Sequence, residues 1–211
     1  QTGIECASKV TTVSPNYADE LLTDLGSHGL HERLVKRKAD LSGILNGCDY
    51  SQWNPATDAY LPENYSVDNL QPKRVCKTTL QTRSGLPENA GVPLIGMVCR
   101  LTEQKGFGYI LPILDDLVQH NLQIVIVGTG DPKVCMDLGE FAQQHPTQFA
   151  FINGFSSEHA HLVEAGADFF LMPSQFEPCG LNQMYSLAYG TVPIVRAVGG
   201  LKDTVVDLDT G

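Results

Sequence analysis

The chain has 211 residues, 42% of them apolar and 18% charged, and a formal net charge of −10. That length can bury a full core as one large domain or as one domain plus part of another. The acidic balance argues against nucleic acid and anionic membranes as partners of the surface as a whole. No apolar run reaches the roughly 18–20 residues needed to span a bilayer, and the start lacks a basic-then-apolar signal pattern. The six cysteines include no CxxC pair and lie largely in apolar runs, so they read as reduced thiols of a cytoplasmic protein, not as a disulfide framework or zinc site.

Residues 9–13 read as a strand, and Ser14-Pro15 supplies an N-cap followed by proline at the first helical position, so a helix is expected to start there. Lys36-Arg37-Lys38 reads as a solvated face. Residues 43–46 look like a short strand. Residues 51–66, with Trp53 and few periodic apolar positions, read as an ordered loop, and 67–83 as a helix in which Pro72 marks an early kink or a later start.

From residue 93 the chain alternates strand and helix: strand 93–101, helix 107–119, strand 122–128, helix 131–144, strand 149–153, helix 156–166, strand 168–173 and strand 193–196. This is repeated βαβ grammar, which predicts an α/β fold with a Rossmann-like parallel sheet flanked by helices. In the first of these helices Phe107, Ile110, Leu111, Leu114, Leu117 and Val118 form one apolar stripe.

Two junctions carry chemistry. Glu177, Cys179 and Gly180 follow the doubly buried strand 168–173, outside the carboxyl end of a parallel strand, where open α/β sheets bind ligands. Arg100 and Lys105 occupy the equivalent position after strand 93–101, and two cations before a helix make a phosphate site without metal. Taken alone, basic loop residues are more often solvated surface. Cys179 reads either as a small packing thiol or as a thiol with lowered pKa.

Gly128-Thr129-Gly130-Asp131 resembles half of a dinucleotide fingerprint, but Lys133 stands where the third glycine belongs, so a turn needing positive φ competes with ligand contact. His159 and His161 are two apart on a helix and point to different faces, which makes them poor metal co-ligands. They read as solvated surface, as do the other histidines and Asp207-Leu208-Asp209.

Six motifs extend these junctions: Val-Ser-Pro-Asn-Tyr-Ala (13–18), Gly-Ile-Leu-Asn-Gly (43–47), Trp-Asn-Pro-Ala-Thr-Asp (53–58), Arg-Leu-Thr-x-Gln-Lys-Gly (100–106), Phe-Glu-Pro-Cys-Gly-Leu-x-Gln (176–183) and Tyr-Gly-x-x-Pro-Ile-Val-Arg-x-x-Gly-Gly-Leu-x-Asp-Thr-Val (189–205). In order and spacing they closely resemble the bacterial glycogen synthase and plant starch synthase family.

That resemblance implies a retaining glucosyltransferase of the two-domain GT-B type, moving glucose from ADP-glucose to the non-reducing end of an α-1,4-glucan. It implies no cofactor and no metal, and a cytoplasmic location, or a plastid in a plant. Residues 1–40 would be the end of an N-terminal domain and hinge, and 41–211 a C-terminal nucleotide-sugar-binding domain, truncated at its own C-terminus. Such a donor-binding half is expected to be inactive alone, the glucan being held mainly by the missing N-terminal domain.

By the same resemblance Glu177, Arg100 and Lys105 are catalytic, and Asn46, Gln104, Phe155, Cys179, Gly180, Leu181 and Asn182 bind the donor. Asn182 and Val198 depart from threonines common in relatives, and Tyr185 stands where the wider E-x7-E pattern has a second glutamate. The competing readings are another GT-B transferase using UDP-glucose and an isolated nucleotide-sugar-binding module.

Overall fold

A computed structural model describes residues 2–211. In chain order the elements are α1 (Thr2–Cys6), β1 (Val10–Thr12), α2 (Pro15–Glu20), α3 (His31–Lys36), β2 (Leu41–Gly43), α4 (Lys73–Arg83), β3 (Leu94–Val98), α5 (Phe107–Ile110), α6 (Leu114–Leu117), β4 (Gln123–Gly128), α7 (Pro132–Gln144), β5 (Phe149–Asn153), α8 (Ser157–Gly166), β6 (Phe169–Met172), α9 (Asn182–Ala188), β7 (Val192–Val195) and α10 (Gly199–Thr204).

Five strands form one parallel sheet in the order β5-β4-β3-β6-β7. The chain builds outward from β3 to one edge, then returns to add β6 on the other side, with Ile95 opposite Phe169. The gap above the carboxyl ends of β3 and β6 is therefore the topological switch point, where an open α/β sheet leaves a crevice. Every residue of β4 is buried. Ile124 and Ile126 pack with Met97, Phe107, Leu138 and Phe149 on one face, while Val125 and Val127 pack with Leu80, Leu162, Val163 and Phe170 on the other. This two-sided burial explains why the strands read as continuous apolar runs instead of alternating. Helix α8 lies so close to the sheet that a Cβ on Gly96 would stand 2.5 Å from a Val163 methyl.

Several boundaries differ from expectation for local reasons. The helix expected over 107–119 is α5, a 3-10 turn at Leu111–Ile113, and α6. Pro112 lacks the N–H that a continuous helix requires, yet Phe107, Ile110 and Leu114 all remain buried. The helix read over 67–83 begins at Lys73, directly after Pro72, which is the later start that this proline allowed. The strand expected at 43–46 lies earlier, at Leu41–Gly43, where it pairs in parallel with β1 through Val10↔Leu41.

The Ser14 hydroxyl caps α2 as expected, accepting from Tyr17 N–H at 2.9 Å. It also donates to Asp203 at 2.5 Å. Asn16 donates to the Gly199 carbonyl at 3.2 Å, and the Gly199 N–H donates to Glu20 at 2.8 Å. These bonds fasten α2 to α10.

Two surface expectations are corrected. His161 is buried: its Nδ1 lies 2.7 Å from Asp58, which also accepts from the Tyr189 hydroxyl at 2.6 Å. Its ring stacks on Trp53 at 3.8 Å, and the far face of Trp53 stacks on Tyr185 at 3.9 Å. The 51–66 loop is thus bolted to α8 and α9, and α8 hides one histidine while leaving the other partly exposed. Arg37 is not a free surface cation either. It donates to the carbonyls of Ile4, Glu5 and Ala7 and pairs with Asp40, satisfying the end of α1. Residues 207–209 are exposed as expected. Among the described residues no helix is long and apolar enough to cross a membrane.

Candidate active site

A cavity of about 610 Å³ opens at the switch point. Its wall carries Arg100, Gln104 and Lys105 from the loop after β3, and Glu177, Cys179, Gly180, Leu181 and Asn182 from the loop after β6. Asn46 and Phe155 complete it, so all ten residues expected at the site face one space.

Lys105 ends a 3-10 turn, Glu103–Lys105, and the next residue, Gly106, has φ 85°. A Cβ there would meet the Pro173 carbonyl oxygen at 2.2 Å. Only glycine lets the turn press against the end of β6, and this brings Lys105 to Glu177, Nζ to Oε2 2.5 Å. The Ser174 hydroxyl donates to the same oxygen at 3.1 Å. Glu177 is 6% exposed, a depth at which a carboxylate requires such partners. Both donors use Oε2, and Oε1 has no hydrogen-bond partner among the described residues.

Arg100 is exposed and has no ion pair among the described residues. The cavity therefore holds one cation already spent on a carboxylate and one free. Beside them Cys99 is half-buried, and loss of solvent around its sulfur pushes the thiol up to about 12.

The remaining residues divide between lining and bracing. Gln104 braces: its side chain donates to the Phe176 carbonyl at 3.2 Å, and its own carbonyl accepts from Gln175 N–H at 2.8 Å. The Asn182 amide likewise donates to the Val98 carbonyl at 2.9 Å, closing the end of β3 onto α9. Cys179 is buried, and all six cysteines are free thiols. Gly180 has φ 73°, and a side chain there would strike Gln183, which donates to the carbonyls of Cys179 and Gly180. Phe155 is 70% exposed, an open aromatic face on the cavity wall.

Gly128 and Gly130 are explained by close approach, not by positive φ, which neither adopts. A Cβ on Gly128 would meet the Cys99 carbonyl at 2.1 Å, and one on Gly130 the Leu101 carbonyl at 2.3 Å.

Among the cavity-wall residues that sequence reading did not expect at the site are Ser174, Trp53 and Glu164. Ser174 lies three positions before Glu177 in the same turn, a spacing that the turn itself advertises. Glu164 is buried on α8, which raises its carboxyl well above the ordinary value against the smaller opposing effects of the Ser186 hydroxyl and Lys73. Nothing in its helical register marks it.

A parallel sheet of this order with a cation–carboxylate pair at its switch point has the architecture of a glycosyl transferase, and the chain belongs to the family described as Glycosyl transferases group 1, which matches residues 79–211. Residues 1–36 match the description Starch synthase catalytic domain. The glycogen synthase of Aeromonas salmonicida (strain A449) is 62% identical over 207 residues, 98% of this chain and 42% of that protein. A glycogen synthase of Vibrio cholerae is 59% identical over 212 residues, 99% of this chain and 44% of that protein.

The catalytic domain of Starch Synthase IV from Arabidopsis thaliana, solved bound to ADP and acarbose, is similar in fold with a TM-score of 0.91 and 37% identity, over 98% of this chain and 43% of that one. The likeness to glycogen and starch synthases thus runs through nearly the whole chain, in agreement with its motifs. The chain spans less than half the length of these relatives.

Proposed function

We propose that the chain forms the donor-binding part of a retaining glucosyltransferase that takes glucose from ADP-glucose and adds it to the non-reducing end of an α-1,4-glucan. The observation that carries this reading is the Lys105–Glu177 pair inside the switch-point cavity, with the free cation Arg100 on the same wall. The curated relatives, and the ADP and acarbose held by the plant starch synthase domain, support the choice of donor and acceptor.

Breaking a bond between a sugar and a diphosphate places growing negative charge on the departing phosphate. Arg100 and Lys105 stabilise that charge more in the transition state than in the bound donor, which is the condition for raising the rate. The backbone N–H groups of Gly180 and Leu181 serve the distal phosphate, and glycine permits the close approach. The unpartnered Oε1 of Glu177 receives the glucose hydroxyls, and its charge favours an oxocarbenium-like centre. The acceptor oxygen attacks from the face the phosphate leaves, and the leaving phosphate takes the acceptor's proton. Phe155 offers its exposed ring to the adenine, and Asn46 a polar contact to the donor.

The donor site belongs to residues 41–211 in this reading. Residues 1–40 are the end of a preceding unit, although β1 and α2 are held to β2 and α10. The glucan is held mainly by parts of the protein outside this chain, and this chain alone binds donor without turnover.

Calorimetric titration with ADP, ADP-glucose and UDP, beside the Arg100→Ala variant, tests the assignment. Binding of ADP that Arg100→Ala weakens at least about tenfold is expected. A folded protein that binds UDP in preference to ADP would shift the reading to a UDP-sugar enzyme, and one that binds neither would overturn it.

A further inference from the structure

Arg196 stands one residue beyond β7 and lines no part of the cavity. Its guanidinium Nη1 donates to the Ser174 carbonyl at 2.8 Å and to the Gln175 carbonyl at 3.1 Å. The group lies 5.0 Å from the centre of the Tyr109 ring, a cation–π contact. The Arg196 backbone N–H donates to the Met172 carbonyl at 3.3 Å, continuing the β6–β7 ladder. Backbone and side chain of one residue thus hold both the end of β6 and the two peptides that follow it.

Those peptides determine where Glu177 sits. Ser174 is 1% exposed, and its hydroxyl donates to Glu177 Oε2. Gln175 N–H and the Phe176 carbonyl are taken by Gln104. The turn from Ser174 to Glu177 is therefore held both by the loop after β3 and by Arg196. Nη1 presents one N–H to each of the two carbonyls while the planar group lies against the Tyr109 ring, a combination that an ammonium does not reproduce.

We propose that Arg196 is a positioning residue: its guanidinium fixes the Ser174 and Gln175 carbonyls so that the Ser174 hydroxyl presents Glu177 to the sugar. It touches neither donor nor acceptor. The rate consequence rests on the glucosyltransferase reading, whereas the structural grip does not.

The test uses the protein as the organism makes it, with Arg196→Ala and Arg196→Lys. Amide hydrogen exchange across 174–177 is expected to quicken about tenfold or more in Arg196→Ala while the central strands β3 and β4 stay protected. Unchanged exchange at 174–177 overturns the proposal whether or not the unsubstituted protein transfers glucose. For glucose transfer, Arg196→Ala is expected to lose about 10²-fold in kcat, with KM for ADP-glucose and calorimetric ADP affinity within about threefold of the parent. Arg196→Lys is expected to fall between the two. Guanidinium ion at millimolar concentration is expected to restore part of the rate to Arg196→Ala. A parallel loss of ADP affinity would mean that Arg196 acts on the donor, and loss of rate in step with loss of folded protein, unrescued by guanidinium, would reduce it to scaffolding. Either result overturns the proposal. Absence of transfer by the unsubstituted protein would fail the functional reading alone.

Discussion

Lys105 and Glu177, 72 positions apart in sequence, share an ion pair of 2.5 Å that spans the gap between β3 and β6. The side chain of Lys105 is 19% exposed and that of Glu177 8%. Glu177 therefore engages the cation that a diphosphate would seek.

Removing the carboxylate's charge separates the two roles. Glu177→Gln frees Lys105, so ADP is expected to bind at least as tightly as to the parent while glucose transfer falls by about 10²–10³-fold. Calorimetry with ADP beside an initial-rate assay reads both. Weaker ADP binding in this variant would mean that Glu177 organises the phosphate site instead of competing for its cation.

Gly199 has φ 46°, and a Cβ there would stand 1.8 Å from the Glu177 carbonyl oxygen. Gly199→Ala meets both backbone strain and a collision with backbone, so a loss of about 3 kcal/mol is expected. That corresponds to a fall in Tm of about 6–12 °C for a chain of this size. A melting curve matching the parent's would show that the turn relaxes freely.

Glu164 gives the molecule a pH dependence of definite sign. Its carboxyl is raised well above 4.5 by burial, so the folded chain holds a proton that the unfolded chain releases as pH passes its ordinary value. Its contribution to stability is then full at acid pH and declines as pH rises toward the folded value. Glu164→Gln keeps the size and removes the titration. Its Tm is expected to exceed the parent's by several degrees at pH 8 and to converge with it near pH 4. Parallel curves across that range would contradict a protonated Glu164.

Trp53 is the chain's one tryptophan, and it stands on the cavity wall with both faces covered by His161 and Tyr185. Saturation with ADP is expected to change its emission, and a fluorescence titration should return the calorimetric affinity. Unaltered emission at saturation would place the nucleotide away from the 51–66 loop. Trp53→Ala, which opens the stack, is expected to cost about 3–5 kcal/mol.

The strand–helix alternation was legible because two-sided burial writes unbroken apolar runs such as Gln123–Gly128. The switch-point residues were legible because glycine and proline mark the turns around Glu177 and Lys105. What stayed hidden are pairings across long stretches of chain. Asp58 and His161 are 103 positions apart, and neither sits at a register that signals burial. Arg37 looked like one of three equal cations until three carbonyls of the α1 region converged on it. The break at Pro112 was visible, but the apolar stripe on both sides of it matched a continuous helix equally well.

The bonds between α2 and α10 meet the centre of the cavity by a short route. Glu20 accepts from Gly199 N–H at 2.8 Å, and the next N–H, that of Gly200, donates to the Glu177 carbonyl at 3.0 Å. Two adjacent peptides thus join α2 to the backbone of Glu177. The opening segment of the chain is thereby stitched to the backbone of the cavity's carboxylate, so residues 14–20 share in holding the wall of a site to which they contribute no predicted ligand.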